Sequence, residues 1–472
     1  MKDSKGIQRP QKTPYETYPV DIEMEARNKQ EACSMPTASD ETKAKTKPLT
    51  GDLLEIILSS RNLNEAAKRV VKNKGSHGVD GMKIDELLPY LQQHGETLRG
   101  LLLEEEYRPN PVRRVEIPKP NGGIRLLGIP TVIDRFIQQA IAQILTLIFD
   151  GSFSENSYGF RPRKSAQMAV LKAKEYIEQG YTWTVDMDLE KFFDKVNHDI
   201  LMSRVARKVK DKRVLRLIRR YLESGIMLNG ITIIKPDEGT PQGGPLSPLL
   251  SNILLDDLDK ELEKRGHKFC RYADDCNIYV KSRRSGERVL ESITNFLETK
   301  LKLKVNKEKS AVDRPWKRKF LGFTFYSYYG KTGILPHEKS MKRLKEKIKD
   351  ITNRNVSRSM GSRMKSLNQL ITGWVNYFRI AAMKGKLKEI DGWTRRRLRA
   401  CVWKQWKKIK TRYRNLLKFK ISDGKAWEYA NTRKGYWRIS NSPILSKTLT
   451  NQYWINQGFK SFSLQYKAFS LS

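Results

Sequence analysis

Cysteine is scarce in this chain of 472 residues: Cys33, Cys270, Cys276 and Cys401, alongside five histidines. No two cysteines form a Cys-x-x-Cys pair and none joins a Cys/His cluster, which excludes a zinc-organised fold. Scattered thiols in partly apolar settings also exclude a disulfide scaffold and fit the reduced state of a cytosol. No secretory signal opens the chain, which is polar from Met1 onward, and no apolar run is expected to span a bilayer; a membrane partner is not expected. The largest deficit is negative charge: 52 Asp and Glu against 91 Lys and Arg, a formal net charge of +39. A compact body carrying that charge strains against its own repulsion, so a polyanionic partner is implied, nucleic acid first.

What is present suffices for a large folded protein. Hydrophobic residues make up 38% of the chain, and the length suggests two to four domains. Residues 1–48 are polar with little periodicity and predict a disordered tail. Leu53, Leu54, Ile57 and Leu58 then recur at helical spacing, and a second helix is expected from Ile84 to about Glu104. Val115 to Pro130 reads as a hairpin whose turn is Pro120-Asn121-Gly122-Gly123. A buried helix is expected over 131–150 and another ending near Gln179. Trp183, Val185 and Met187 alternate with Thr184, Asp186 and Asp188, a strand pattern. Helices follow from His198 to about Glu223 and again after Ser247. From residue 331 to 420 the chain holds 27 Lys and Arg against 5 Asp and Glu, an excess of +22, and is again helical.

One short stretch concentrates the chemistry. Tyr272-Ala273-Asp274-Asp275 lies between Phe269-Cys270-Arg271 and Cys276-Asn277-Ile278-Tyr279-Val280, a pattern for two strands joined by a tight turn with paired carboxylates at its tip. Two carboxylates against an apolar hairpin repel each other, and a divalent cation relieves them. Such a cation can also clamp a nucleotide's phosphates, which is polymerase chemistry. Asp188, at the end of the predicted strand, can supply a third carboxylate; alone, a capping aspartate is the commoner role for such a residue. Asp186 lies on the same strand face and competes for it. Lys119 and Arg125 flank the first hairpin's turn, where cations suit an incoming triphosphate or simply decorate a basic surface. Gly239-Thr240-Pro241-Gln242-Gly243-Gly244-Pro245 opens a helix and can bring backbone N–H groups to a nucleotide or template strand.

In their order these segments resemble the reverse transcriptases, most closely those encoded by bacterial group II introns, over roughly residues 50–440. Ile117 to Arg125 resembles the fingers hairpin. Ser157-Tyr158-Gly159-Phe160-Arg161-Pro162 is similar to a segment of the intron enzymes that retroviral ones lack. Asp188-Leu189-Glu190-Lys191-Phe192-Phe193-Asp194 and Tyr272–Asp275 resemble the two catalytic motifs, and Gly239–Pro248 the template-and-nucleotide loop. Leu303–Ser310 and Phe320-Leu321-Gly322-Phe323 match the last palm blocks. The resemblance implies an α+β right-hand polymerase, with fingers and an antiparallel palm sheet packed on helices over 49–330. An all-helical thumb or maturase domain follows over 331–420, and a small extension over 421–472 packs as a cap or touches nucleic acid.

The resemblance also settles Asp188 over Asp186. It implies that Asp188 and Asp274 bind two Mg2+ ions, with Mn2+ as a substitute, helped by Asp275 and the Leu189 carbonyl. Lys119 and Arg125 would meet the triphosphate and Gln242 the nucleotide sugar and base, while Phe193, next to Phe192, would exclude a ribose 2′-hydroxyl. The implied partners are group II intron RNA, an RNA template with DNA or RNA primer, target DNA and dNTPs, in the bacterial cytoplasm, with no obligate protein partner. The implied roles are RNA-directed DNA synthesis, maturase-assisted splicing and retrohoming.

In the basic region Leu387, Ile390, Leu398, Cys401 and Val402 trace an apolar stripe. Arg395, Arg396, Arg397 and Arg399, with Lys404, Lys407 and Lys408, are expected to face RNA phosphates. Beyond residue 420 there is neither His nor Cys, so the HNH nuclease chemistry of longer members is not expected, as in the short class C enzymes. Two other classes fit part of the pattern: an RNA-binding maturase without polymerase activity, and a retron or defence-type reverse transcriptase. Intact Asp188, Asp274, Asp275, Lys119 and Arg125 argue against the first, and the long basic helical region against the second.

Overall fold

A computed structural model describes residues 52–118, 122–228, 232–234, 238–240 and 243–470. The expected tail at 1–48, Lys119 and Gln242 lie outside the described residues. The described chain divides into two compact units, 52–337 and 338–470.

The first unit opens with α1 (Leu53–Ile57), α2 (Ser60–Asn73) and α3 (Leu87–Leu103), whose apolar positions join one core. Strands β1 (Val112–Pro118) and β2 (Ile124–Ile129) form the expected hairpin, in register from Arg113 opposite Ile129 to Pro118 opposite Ile124. Helix α4 (Val132–Phe149) is capped by Thr131, whose hydroxyl accepts from the Asp134 amide. Here the membrane reading needs correction, because Val132–Ser152 is by length and composition apolar enough to cross a bilayer. It is instead a core helix, two-thirds buried, with Asp134 and Gln138 enclosed among protein partners. Next come α5 (Ala166–Glu178), β3 (Trp183–Met187), α6 (His198–Val205) and α7 (Lys212–Leu222). Two short strands that periodicity did not reveal, β4 (Ile226–Leu228) and β5 (Thr232–Ile234), are followed by α8 (Ser247–Lys264). The acidic hairpin is β6 (Lys268–Tyr272) and β7 (Asp275–Val280). The unit closes with α9 (Arg283–Phe296), β8 (Ala311–Asp313), β9 (Phe323–Tyr328) and β10 (Lys331–Pro336).

Three sheets result. The first has the order β2-β1-β4-β5, with β1 and β4 parallel. The second, β6-β7-β3-β8, is antiparallel throughout and buries Val185, Met187, Phe269 and Ile278 against helices, as the alternation predicts. The third pairs β9 with β10. That pairing moves the boundary expected at residue 331: β10 belongs to the first unit, and the second begins at Glu338. The charge shift precedes the structural break because the strand's own residues are already basic at Lys331.

The second unit is helical: α10 (Glu338–Ile351), α11 (Met360–Phe378), α12 (Lys384–Gln405), α13 (Ile409–Lys418), α14 (Asp423–Ala430), α15 (Tyr436–Ile439), α16 (Pro443–Thr448), α17 (Asn451–Asn456) and α18 (Phe462–Ser470). The stripe Leu387, Ile390, Leu398, Cys401 and Val402 is buried. Residues after 420 share this core rather than forming a separate extension. Buried Asp391 on α12 accepts from the Phe462 and Ser463 amides and from the Ser461 and Ser463 hydroxyls, which ties the start of α18 to α12. Trp454 and Phe462 are buried, while Trp427 stays exposed.

Candidate active site

Strand register assembles the carboxylates. Met187 of β3 pairs with Cys276 of β7, and one residue beyond on each strand stand Asp188 and Asp275. Tyr272 pairs with Asp275, leaving Ala273 and Asp274 as a two-residue turn. Ala273 sits at φ +56°, a conformation favoured by hairpin turns of this length but unusual for a side-chain-bearing residue.

Crowding by surrounding protein, then the negative charge of Asp188, holds the Asp274 carboxyl above its usual range; its own backbone N–H, Arg125 and Arg271 oppose this. Asp275 is pushed up to about 7 by the enclosing protein and then by Asp274, Asp186 and Asp188, although its residue surface stays open to solvent. Asp186 is ion-paired: Arg318 Nε (2.9 Å) and Nη2 (2.6 Å) both donate to its Oδ2. Asp188 is held differently. Its amide donates to Ser310 Oγ, its carbonyl accepts from the Asn306 amide, and the Lys309 ammonium lies 3.2 Å from its Oδ2. The Leu189 backbone bridges to Val305.

These donors are hard oxygens on adjacent strands, suited to Mg2+, which binds through one or two carboxylates plus substrate phosphates and water. Among the described residues no group of three or more His, Cys, Asp or Glu side chains is placed to hold a metal ion by itself, these three aspartates included.

A buried network that sequence reasoning missed supports the turn. Arg271 is 0% exposed and pairs bidentately with equally buried Asp259, at 2.7 and 2.6 Å. Its other N–H groups donate to the Ala273 carbonyl (2.9 Å), Asn252 Oδ1 and Ser157 Oγ. Asn252 in turn donates to the Gly159 carbonyl. The segment around Ser157–Pro162 thus lies directly under the acidic turn: the Tyr158 amide donates to the Arg271 carbonyl, and a Cβ at Gly159 would come 2.3 Å from the Ala273 nitrogen. Arg161 anchors the segment through an ion pair with Asp150 at 2.7 Å. The available signal was the arginine immediately before the Tyr-Ala-Asp-Asp run, a charge inside an otherwise apolar strand.

The structure separates the two phenylalanines. Phe192 is core, 2% exposed, whereas Phe193 is half-buried and lines a cleft of about 140 Å3 with Arg114, Leu127, Gly128, Gly239 and Thr240. The glycine loop is strapped to Phe193: the Thr240 amide donates to the Phe193 carbonyl at 2.6 Å, and Gly239 takes φ +100° where a side chain would meet that same carbonyl. At Gly243, φ +136°, a Cβ would lie 2.6 Å from the Gly128 carbonyl, so this loop rests on β2. Arg125, on β2 opposite Ile117, is exposed, and its charge reaches Asp274.

In the second unit the expected RNA-facing arginines do not all face outward, a correction to the simple stripe reading. Arg396 stacks 4.0 Å from the Trp437 ring and donates to its carbonyl. Arg397 donates to Thr352 Oγ1 and the Lys349 carbonyl, and half-buried Arg399 to the Ser440 carbonyl. Groups at the end of α10 and at α15 with the residue after it claim these guanidiniums for the domain itself. Arg395 is half-buried, Lys404 donates to Asn355 Oδ1, and Lys407 and Lys408 are exposed.

A family model described as "Reverse transcriptase (RNA-dependent DNA polymerase)" matches residues 117–325, and one described as "Group II intron, maturase-specific domain" matches residues 341–419. "Protein YkfC" of Escherichia coli (strain K12) is 34% identical over 300 residues, covering 55% of this chain and 78% of that protein. "Putative COX1/OXI3 intron 2 protein" of Saccharomyces cerevisiae is 28% identical over 363 residues, 64% of this chain and 41% of that one. "Group II intron-encoded protein LtrA" of Lactococcus lactis subsp. cremoris is 36% identical over 207 residues, 44% of this chain and 34% of that one. The chain therefore spans less than half the length of the last two.

Proposed function

This chain belongs to the reverse transcriptases that carry a group II intron maturase domain, and we propose that it copies RNA into DNA and binds its parent intron's RNA to assist splicing and retrohoming. The observation that carries the polymerase reading is the strand register, which brings Asp188 and Asp275 beside the Asp274 turn. Asp188 and Asp274 hold the ions in this reading, with Asp275 assisting and the Leu189 carbonyl contributing. Two bound Mg2+ ions, or Mn2+ in their place, would activate the primer 3′-hydroxyl and stabilise the leaving pyrophosphate.

The chain's own residues do the rest. Arg125, exposed on β2, draws the triphosphate toward the acidic turn, and Lys119 is assigned the same task. Phe193, which lines the cleft beside the glycine loop, excludes a ribose 2′-hydroxyl in this reading, and Gln242 is assigned the sugar and base. Arg271 keeps the turn in place from below. Lys407, Lys408 and Arg395 meet RNA phosphates, whereas Arg396, Arg397 and Arg399 chiefly hold α12. Intron RNA, RNA template with primer, dNTPs and target DNA are the partners of this reading, in the bacterial cytoplasm.

Primer extension on an RNA template with magnesium tests it. Wild-type protein yields cDNA, and Asp274→Ala yields none while binding RNA with near-normal affinity. Tight RNA binding without product from the wild type would leave an RNA-binding maturase alone. Loss of both functions in Asp274→Ala would make that carboxylate structural.

A further inference from the structure

The second unit contains a recess of about 430 Å3 between the α10–α11 connection and the last turns of α12. Its floor includes Arg363, which is 2% exposed. Two of its nitrogens donate to the Ile351 carbonyl (2.7 Å) and the Val356 carbonyl (2.6 Å), and its Nε has no partner. No carboxylate among the described residues pairs with this guanidinium. A cation buried without a counter-charge is costly, and neutral carbonyls offset only part of the cost. Arg354, Arg358 and Lys404 open onto the same recess, and neither Asp nor Glu lines it. The 19-residue helix α11 begins at its edge, with Ser359 as N-cap and no acidic residue in its first turn, so the positive helix end adds to the same field.

We propose that this recess is an anion site that takes a phosphodiester phosphate of bound RNA, a reading that rests on the RNA-binding role proposed above. Guanidinium groups fork onto phosphate oxygens, and a volume of this size also admits the attached nucleoside. An RNA strand is favoured over a free phosphate because the rim is exposed and extends the basic face of a strongly cationic chain. The RNA phosphate supplies the negative charge that Arg363 lacks.

The test uses the full chain with Arg354→Gln/Arg358→Gln, and the charge-keeping Arg354→Lys/Arg358→Lys as control. RNA affinity is measured across a salt series. In parallel, thermal midpoints are compared in inorganic phosphate and in chloride at matched ionic strength. The glutamine variant is expected to bind RNA about tenfold more weakly, as for one lost charge-assisted contact. Its log–log salt slope should be shallower by roughly 0.7 to 1.4, and it should lose the phosphate-dependent rise in midpoint. The lysine variant retains most of both. Unchanged RNA affinity and slope in a folded glutamine variant, with no phosphate effect in the wild type, overturns the site. A phosphate effect that disappears in the variant while RNA binding is unchanged overturns the RNA assignment and leaves a free-phosphate site. Absence of cDNA from the wild type would remove the polymerase reading without touching this result, which is read from affinity alone.

Discussion

At the scale of single residues, the acidic turn is a place where the fold crowds carboxyls away from water and then against one another. Asp275 titrates near 7 in the folded chain against about 3.8 for an ordinary aspartate, and Asp274 and Asp186 shift in the same direction. Between those values the folded chain retains protons that the unfolded chain has released. The turn's contribution to the stability of the metal-free protein therefore falls as pH rises through that window and levels off above about pH 7, while carboxyls held low by basic partners, such as Glu55 beside Arg213, act in the opposite direction. In chelator, the thermal midpoint of the wild type should accordingly decline with pH relative to that of Asp275→Asn. Since an ion competes with those protons, divalent-metal affinity should climb through about pH 7; affinity independent of pH would contradict the assignment. Arg271 makes the complementary case. Removing one partner of a fully buried pair strands the other, so Arg271→Met should lose about 3–5 kcal/mol in urea unfolding. Where Arg271→Lys remains folded, kcat should drop more than KM changes, because the Ala273 carbonyl loses its support. A stability loss with unaltered kcat would reduce Arg271 to a core residue.

At the scale of elements, the Ser157–Pro162 segment and the β6–β7 hairpin behave as one object. Gly159 is required by proximity rather than by backbone angle, since any Cβ there enters the space of the Ala273 nitrogen. Gly159→Ala should leave the circular dichroism spectrum and RNA affinity near wild type while DNA synthesis falls by at least about tenfold, as expected when reacting groups shift by around 1 Å. Full activity would show that the turn tolerates displacement. Much of this arrangement was legible beforehand. The hairpin of β1 and β2, strand β3, the acidic turn and the helices α4 and α8 follow from periodicity and turn residues, which are local signals. The rest depends on partners distant in sequence. Asp186 and Asp188 look alike by alternation alone, and their surroundings differ through Arg318 and Lys309, each more than a hundred residues on. Strands β4 and β5 are too short to show alternation, and the inward turn of Arg396, Arg397 and Arg399 is set by residues that pack from α10, α15 and the segment beside it.

At the scale of the whole molecule, charge is the governing quantity. The excess of +22 between residues 331 and 420 is over half of the net +39, and the second unit contains nearly all of that stretch. Not every positive charge is available, because Arg396, Arg397 and Arg399 are engaged within the domain. Lys407, Lys408 and the rim of the basic recess remain open. If about six phosphates are neutralised, RNA affinity should fall by roughly 300-fold between about 50 and 200 mM salt, with a log–log slope near −4 for single-stranded RNA. Lys407→Gln/Lys408→Gln should make that slope shallower by about 1.4. Arg397→Gln should instead lower the thermal midpoint with little change in slope, because its guanidinium already serves Thr352 and Lys349. A flat salt response in the wild type, or equal slope changes in both variants, would mean that the net charge of this unit is not what holds RNA.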